Sequence, residues 1–414
     1  MTFDELGLHP DLTKAIRDLG YIRPTPIQSQ AIQPAMNGSD IMGSAQTGTG
    51  KTAAFALPLL HRLLTQPRAG QGARALILTP TRELAQQVTD DFKALGKHTK
   101  IRAAPIYGGV GMGPQLHALR TGVEIIVATP GRLLDHMGRG AAAFRQVEAL
   151  VVDEADRMLD MGFLPDIKRI LAQLPGQRQT MLFSATFPMD IQKLAHSILR
   201  QPVKAQVDAK PMAAVGITHA VYPVSQHLKT ALLLRILNDL GGAKTSILIF
   251  VKMKHKADRL KQILEREGYR AGVIHGDRSQ GQRQAALQAF REGRYPILVA
   301  TDIAARGLDV DGISHVINFN VPTTPEDYIH RAGRTARAEA VGDAFTLMDP
   351  EEKHIITAVE RILGKPIPRV TLPNFPYHTQ QDAHRPHERP AGRPTSPHGR
   401  PGHQKSSHPP RRFR

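Results

Sequence analysis

Two stretches of this chain carry residue types suited to phosphate chemistry. The first is Ala45-Gln46-Thr47-Gly48-Thr49-Gly50-Lys51-Thr52. Glycines at 48 and 50 let the backbone wrap an anion without Cβ clashes. Lys51 can reach β and γ phosphates, and the Thr52 hydroxyl suits Mg2+. An apolar helical run, AAFALPLLHRLL, follows at once, so the positive end of its dipole faces the anion. Ala45 stands at the first position, where this pattern usually has Gly. The second stretch, ALVVDEAD at 149–156, is an apolar strand ending in acids. Asp153 at the strand end is placed to hold Mg2+, mostly through water. Glu154 is the natural base to orient and deprotonate an attacking water. A Gly-rich turn or an acidic turn alone is ordinary surface. Together in one α/β block they read as a nucleoside-triphosphate site.

Such groups need a scaffold that delivers them to one edge. Short aliphatic runs recur at 75–80, 123–130, 149–156 and 180–187. Helix-patterned stretches such as ELAQQVTDDFKALGK (83–97) lie between them. This alternation predicts a parallel α/β sheet. It repeats at 246–251, 271–276, 296–302 and 315–320, with a helix over 257–268. Asp208–Gly216 has no periodicity and reads as a linker. The expected organisation is two α/β domains, 1–207 and 217–370, joined by 208–216.

Composition bounds the rest. The chain has 414 residues, no Cys and a formal charge of +17. Roughly 100–200 residues per domain allows two or three domains. Disulfides, thiolate zinc sites and cysteine nucleophiles are excluded. The charge favours a polyanionic partner through phosphate neutralisation. No apolar run approaches the roughly 18 residues of a membrane span. The start, MTFDELGLHPD, is acidic and lacks an apolar segment of the secretory kind. A cytoplasmic protein is expected. From Thr371 to Arg414 there are nine Pro, six His, eight Lys+Arg and two Asp+Glu. This segment reads as a disordered basic tail, because it cannot bury enough apolar surface to order itself.

Asp153-Glu154-Ala155-Asp156 is also the signature of the DEAD-box ATP-dependent RNA helicases, and the chain resembles that family over about residues 3–365. The compact core is similar to bacterial RhlE-like members. The resemblance implies two tandem RecA-like parallel-sheet domains, with ATP and Mg2+ as cofactors and RNA as partner. GYIRPTPIQ (20–28) looks like the adenine-reading Q motif, in which Gln28 reads the base edge and Tyr21 stacks on the ring. PTREL (80–84), Gly108-Gly109 and TPGR (129–132) are similar to RNA-backbone elements, which implies contacts from Thr81, Arg82, Gly108, Gly109, Thr129 and Arg132. Ser184 and Thr186 of SAT resemble the element coupling hydrolysis to unwinding. HGDRSQGQR (275–283) implies RNA contacts from Gln280 and Arg283. ATDIAARGLDV (300–310) places Thr301 on RNA and Asp309 on the ribose, and HRAGRTAR (330–337) supplies Arg334 and Arg337 as arginine fingers. Ala332 and Ala336 depart from the family pattern, where Ile and Gly are common.

The resemblance implies an RNA-stimulated ATPase that closes a cleft, bends one strand and unwinds short duplexes or remodels RNA–protein complexes. The alternative is an ATP-gated RNA clamp with incidental unwinding. No long heptad pattern appears, so a monomer is expected.

Overall fold

Strand and helix segments alternate along the chain in two series, each closing into its own parallel sheet. The computed structural model describes residues 1–45, 48–66, 72–140, 144–207, 216–241, 245–305, 312–335 and 342–377. The first series gives β1 (Ile41–Ser44), β2 (Ala75–Leu78), β3 (Ala103–Ile106), β4 (Ile125–Ala128), β5 (Ala149–Val152), β6 (Gln179–Ser184) and β7 (Val203–Gln206). Their order is β3-β4-β2-β5-β6-β1-β7, and every pair is parallel. The second series gives β8 (Ile217–Pro223), β9 (Ile247–Phe250), β10 (Ala271–Ile274), β11 (Ile297–Ala300), β12 (His315–Asn318) and β13 (Gly342–Met348). Their order is β10-β11-β9-β12-β13-β8, again all parallel.

The aliphatic runs form central strands because helices cover both faces. β2, β4 and β5 are buried at all four positions, as are β9, β11 and β12. A parallel sheet buried on both sides needs continuous apolar sequence rather than alternation. In the first domain Ile77, Val127 and Val151 pack to one face with Phe55, Val88 and Phe92. Leu76, Ile126 and Leu150 pack to the other with Leu133, Ile167 and Leu194.

Parallel strands bring their C-terminal ends to one edge, where ligands bind in sheets of this class. Ala45, Asp153 and Ser184 all sit at that edge, on the neighbouring strands β1, β5 and β6. The two sheets belong to one compact unit, Met1–Phe375. Most of the expected linker and nearly all of the expected tail lie outside the described residues, as do Gln46, Thr47, Asp309, Ala336 and Arg337. Among the described residues, no helix is long and apolar enough to cross a membrane.

Candidate active site

The phosphate loop opens into the helix Lys51–Thr65 through Gly50, whose φ of 87° is left-handed. Gly48 is left-handed too, at 84°. A Cβ at Gly50 would also strike the amide of Gln28. That amide holds the loop: Gln28 Nε2 donates to Gly50 O at 3.0 Å, and Thr25 N donates to Gln28 Oε1 at 2.9 Å. Gln28 is therefore buried, whereas Tyr21 is half exposed with Phe3 at 6.2 Å between ring centroids. Ala45 anchors the loop start by donating its N–H to Ser184 O.

Lys51 is buried beside three acids that follow β5. Each acid is held differently. Asp153 Oδ1 accepts from Glu154 N at 3.0 Å. Burial pushes Asp153 up to about 6, with Lys51 working against that rise. Asp156 is tied to the SAT segment by Ala185 N at 3.2 Å, Thr186 N at 2.8 Å and Thr186 Oγ1 at 3.0 Å. Ser184 Oγ in turn accepts from Asp156 N at 3.1 Å and donates to Thr186 O at 2.7 Å. Burial disfavours the Asp156 charge, yet these donors and Lys51 hold its pKa below the ordinary value. Glu154 sits in the left-handed region, φ 53° and ψ 51°, a conformation that costs a non-Gly residue free energy and clusters at functional sites. Burial works against its charge as well, but Arg157, Lys51 and Arg334 together hold it low.

Arg334 comes from the second domain. Burial and the nearby Arg157 lower it to about 10. Burial and Arg157 likewise push His330 down to about 4, which keeps that imidazole neutral. Arg331, between them, is an anchor. It forks onto Asp302 at 2.7 and 2.8 Å, donates to Asn318 Oδ1 and Asn320 O at 2.9 Å, and lies 4.9 Å from the Phe250 ring centre.

The DEAD/DEAH box helicase family model matches residues 25–194, and the helicase conserved C-terminal domain matches residues 228–339. The DEAD-box ATP-dependent RNA helicase CshA of Bacillus licheniformis is 42% identical, over 91% of this chain and 76% of that protein. The chain belongs to the DEAD-box ATP-dependent RNA helicases. CshA of Geobacillus kaustophilus is also 42% identical, over 90% of the helicase and 79% of its relative. Among solved structures, S. cerevisiae Dbp5 bound to RNA and ADP BeF3 superposes with a TM-score of 0.81 at 31% identity, covering 89% of the helicase and 95% of that chain. A DEAD box protein from Methanococcus jannaschii is more identical, 37%, yet gives only 0.50. The superposition on Dbp5 spans both domains of the helicase.

The remaining sequence-derived positions divide into two groups. Arg82 and Arg132 meet at the Gly108-Gly109 turn: a side chain on Gly109, φ 81°, would collide with the Arg82 guanidinium, and Arg132 Nη1 donates to Val110 O at 3.1 Å. Thr81 and Thr129 are the buried N-caps of their helices. Thr301, half-buried, follows β11. Gln280 and Arg283 sit at the start of the helix Gln280–Arg291. Both reach Glu83 of the first domain, Gln280 Nε2 to Oε1 at 3.0 Å and Arg283 Nη2 to Oε2 at 2.9 Å. With the Arg283 side chain 9% exposed, this pair is a domain-to-domain tie in the present arrangement, because a buried cation takes the anion within reach.

Sequence reasoning passed over Glu83, Asp302, Arg331, Arg157 and Asp91. Asp302 ends an apolar strand run as Asp153 does, so a signal existed. Asp91 carried none. It is hydrogen-bonded to Thr52, and burial lifts it to about 6.

Proposed function

We propose that this helicase binds ATP mainly on the first domain, lays RNA across both, and hydrolyses ATP in an RNA-stimulated manner to separate short duplexes or remodel RNA–protein complexes. The observation that carries the reading is the meeting of Glu154 and Arg334, a base from one domain and a cation from the other, in one buried charge cluster. Neither domain holds both, so turnover requires a closed cleft. RNA that touches both domains shifts the population toward that state.

In this scheme the loop 45–50 and Lys51 cradle the phosphates, and Thr52 and Asp153 hold Mg2+. The residues fit such an ion: Asp153 is buried, raised by burial and flanked by Glu154 and Asp156. Among the described residues no cluster of three or more side chains can itself cage a metal, so most ligands would be phosphate oxygens and water. The ion would supply charge neutralisation between the β and γ phosphates. Glu154 accepts the proton of the attacking water as the water oxygen bonds to the γ phosphorus and the bond to the β–γ bridging oxygen breaks, releasing ADP and phosphate. Arg334, together with Arg337, stabilises the charge that develops there.

Tyr21 offers an open ring face for adenine. Gln28 keeps one N–H and one oxygen lone pair for the base edge. Asp309 takes the ribose. Arg82, Arg132, Gly108, Gly109, Thr81, Thr129 and Thr301 line the strand, with Gln280 and Arg283 close by. Such contacts go to phosphate and sugar, so little sequence preference follows. Asp156 bonded to Ser184 and Thr186 links the acids to the next strand's loop, the route from hydrolysis to strand release. The working domains are 1–207 and 217–370, and the basic tail 371–414 adds non-specific RNA affinity. The enzyme acts as a monomer in the cytoplasm.

The deciding experiment is ATP turnover with no nucleic acid, with single-stranded RNA, and with DNA of the same sequence. RNA alone should stimulate strongly. Equal stimulation by DNA would sink the RNA-specific reading, and ATP binding without stimulation by either would replace it with the clamp.

A further inference from the structure

The three acids after β5 differ in one respect that bears on catalysis. Asp153 and Asp156 each accept a backbone N–H, whereas Glu154 Oε2 has no hydrogen-bond partner among the described residues. Glu154 forms an ion pair with Arg157, whose Nε lies 3.5 Å from Oε2. Both side chains are at most 5% exposed. Arg157 is itself fixed at its backbone, because its N–H donates to Asp156 Oδ1 at 3.0 Å. Its Nη1 is buried and unbonded. The guanidinium lines a cavity of about 10 Å³ shared with His330, Arg331 and Arg334 of the second domain, which is room for about one water.

We propose that Arg157 is a positioning residue for the general base: through a buried ion pair within the first domain it fixes where the Glu154 carboxylate lies. The proposal rests on the general-base role given to Glu154 above. A residue in the left-handed region projects its side chain outside the usual helical directions, and among the described residues no hydrogen bond steers Oε2. Arg157, three residues on, does so instead, with its Nε 3.5 Å from Oε2. Misplacing a catalytic group by about 1 Å costs about 100-fold in rate. Arg334 comes from the other domain, so it does not stay with Glu154 when the two domains part.

The test replaces Arg157 by Met, which keeps the apolar stem, and by Lys, which keeps the charge. Expected for Arg157→Met is a 10- to 100-fold fall in kcat, by order of magnitude, at saturating ATP and RNA. The KM for ATP, the RNA affinity and the melting temperature should stay near wild type, and Arg157→Lys should recover part of the rate. In a Glu154→Gln background, Arg157→Met should add almost nothing, because residues acting through one group are not additive. An unchanged kcat overturns the proposal. So does an equal loss in the Glu154→Gln background, or a fall in affinity or melting temperature that matches the fall in rate. Wild-type protein with no ATP turnover would overturn the helicase reading itself, and this proposal with it.

Discussion

The first sheet has two ends, and they treat buried polar groups in opposite ways. At the end away from the cleft, Arg74 forks onto Glu148 at 2.6 and 2.9 Å. Asp40 accepts from Thr180 N and Arg200 N, both at 2.7 Å. The Gln179 amide donates to Ala35 O at 2.8 Å and Ser39 O at 2.7 Å. At the cleft end, Glu154 is left-handed with an unbonded carboxylate oxygen, and Arg157 has an unbonded nitrogen. At the far end these groups find their partners within the fold, and Arg178 Nε is the exception among the described residues there. The cleft end is left incomplete, and a folded protein keeps such groups where a ligand supplies the missing partners.

The sharpest way to test the contrast is Glu154→Gln. ATP turnover should fall by about 1,000-fold while ATP affinity and melting temperature hold, as read by phosphate release and calorimetry. Full turnover would remove Glu154 from the chemistry. Next comes Asp40→Ala, the matching change at the far end. It strands two backbone N–H groups, so stability should drop by about 2–4 kcal/mol in urea unfolding, with turnover per folded molecule unchanged. Loss of turnover without loss of stability would erase the distinction between the two ends.

His136 probes the contrast from outside both ends. It lies in the helix Pro130–Gly138, fully buried, with neither ring nitrogen bonded among the described residues. Burial lowers its pKa, with Arg132 adding to the effect. The unfolded chain therefore binds a proton that the folded one refuses. Its contribution is complete above about pH 6.5 and is lost as pH falls, by at most about 1.4 kcal/mol per pH unit. His136→Phe should flatten the acid side of a melting-temperature profile. An unchanged acid slope would show that the imidazole is not a simple cost of burial. The smallest effect concerns the tail. Deleting 371–414 should weaken RNA binding a few-fold and reduce its salt slope, leaving turnover at saturating RNA intact. An unchanged slope would exclude the tail from RNA contact.

Much of this arrangement was legible from residue order. β2, β4, β5, β6, β9, β11 and β12 announced themselves, because double-sided burial demands unbroken aliphatic runs. β1 and β13, central as well, did not, nor did the edge strands β3, β7 and β8. β3 is an edge strand carrying Pro105, and β7 is an edge strand with three of four positions exposed. β1 is short and holds Gly43, where a side chain would strike the Phe183 ring. In the site, the phosphate loop and the acids were readable because their chemistry is local. The contacts between domains were not. Glu83 and Gln280 stand 197 positions apart, and no periodicity carries such a distance. Arg157 was hidden differently, since a basic residue on a helix usually faces solvent and only burial shows that this one does not.

Glu83 has a mechanical consequence. Its two oxygens are held by side chains three positions apart on one helix, and those neighbours lie on the same face. A single contact would act as a swivel, fixing a separation and leaving rotation free. Two contacts act as a key in a slot. For the helix Gln280–Arg291 to leave the helix Arg82–Leu95, both the hydrogen bond from Gln280 and the ion pair from Arg283 must part.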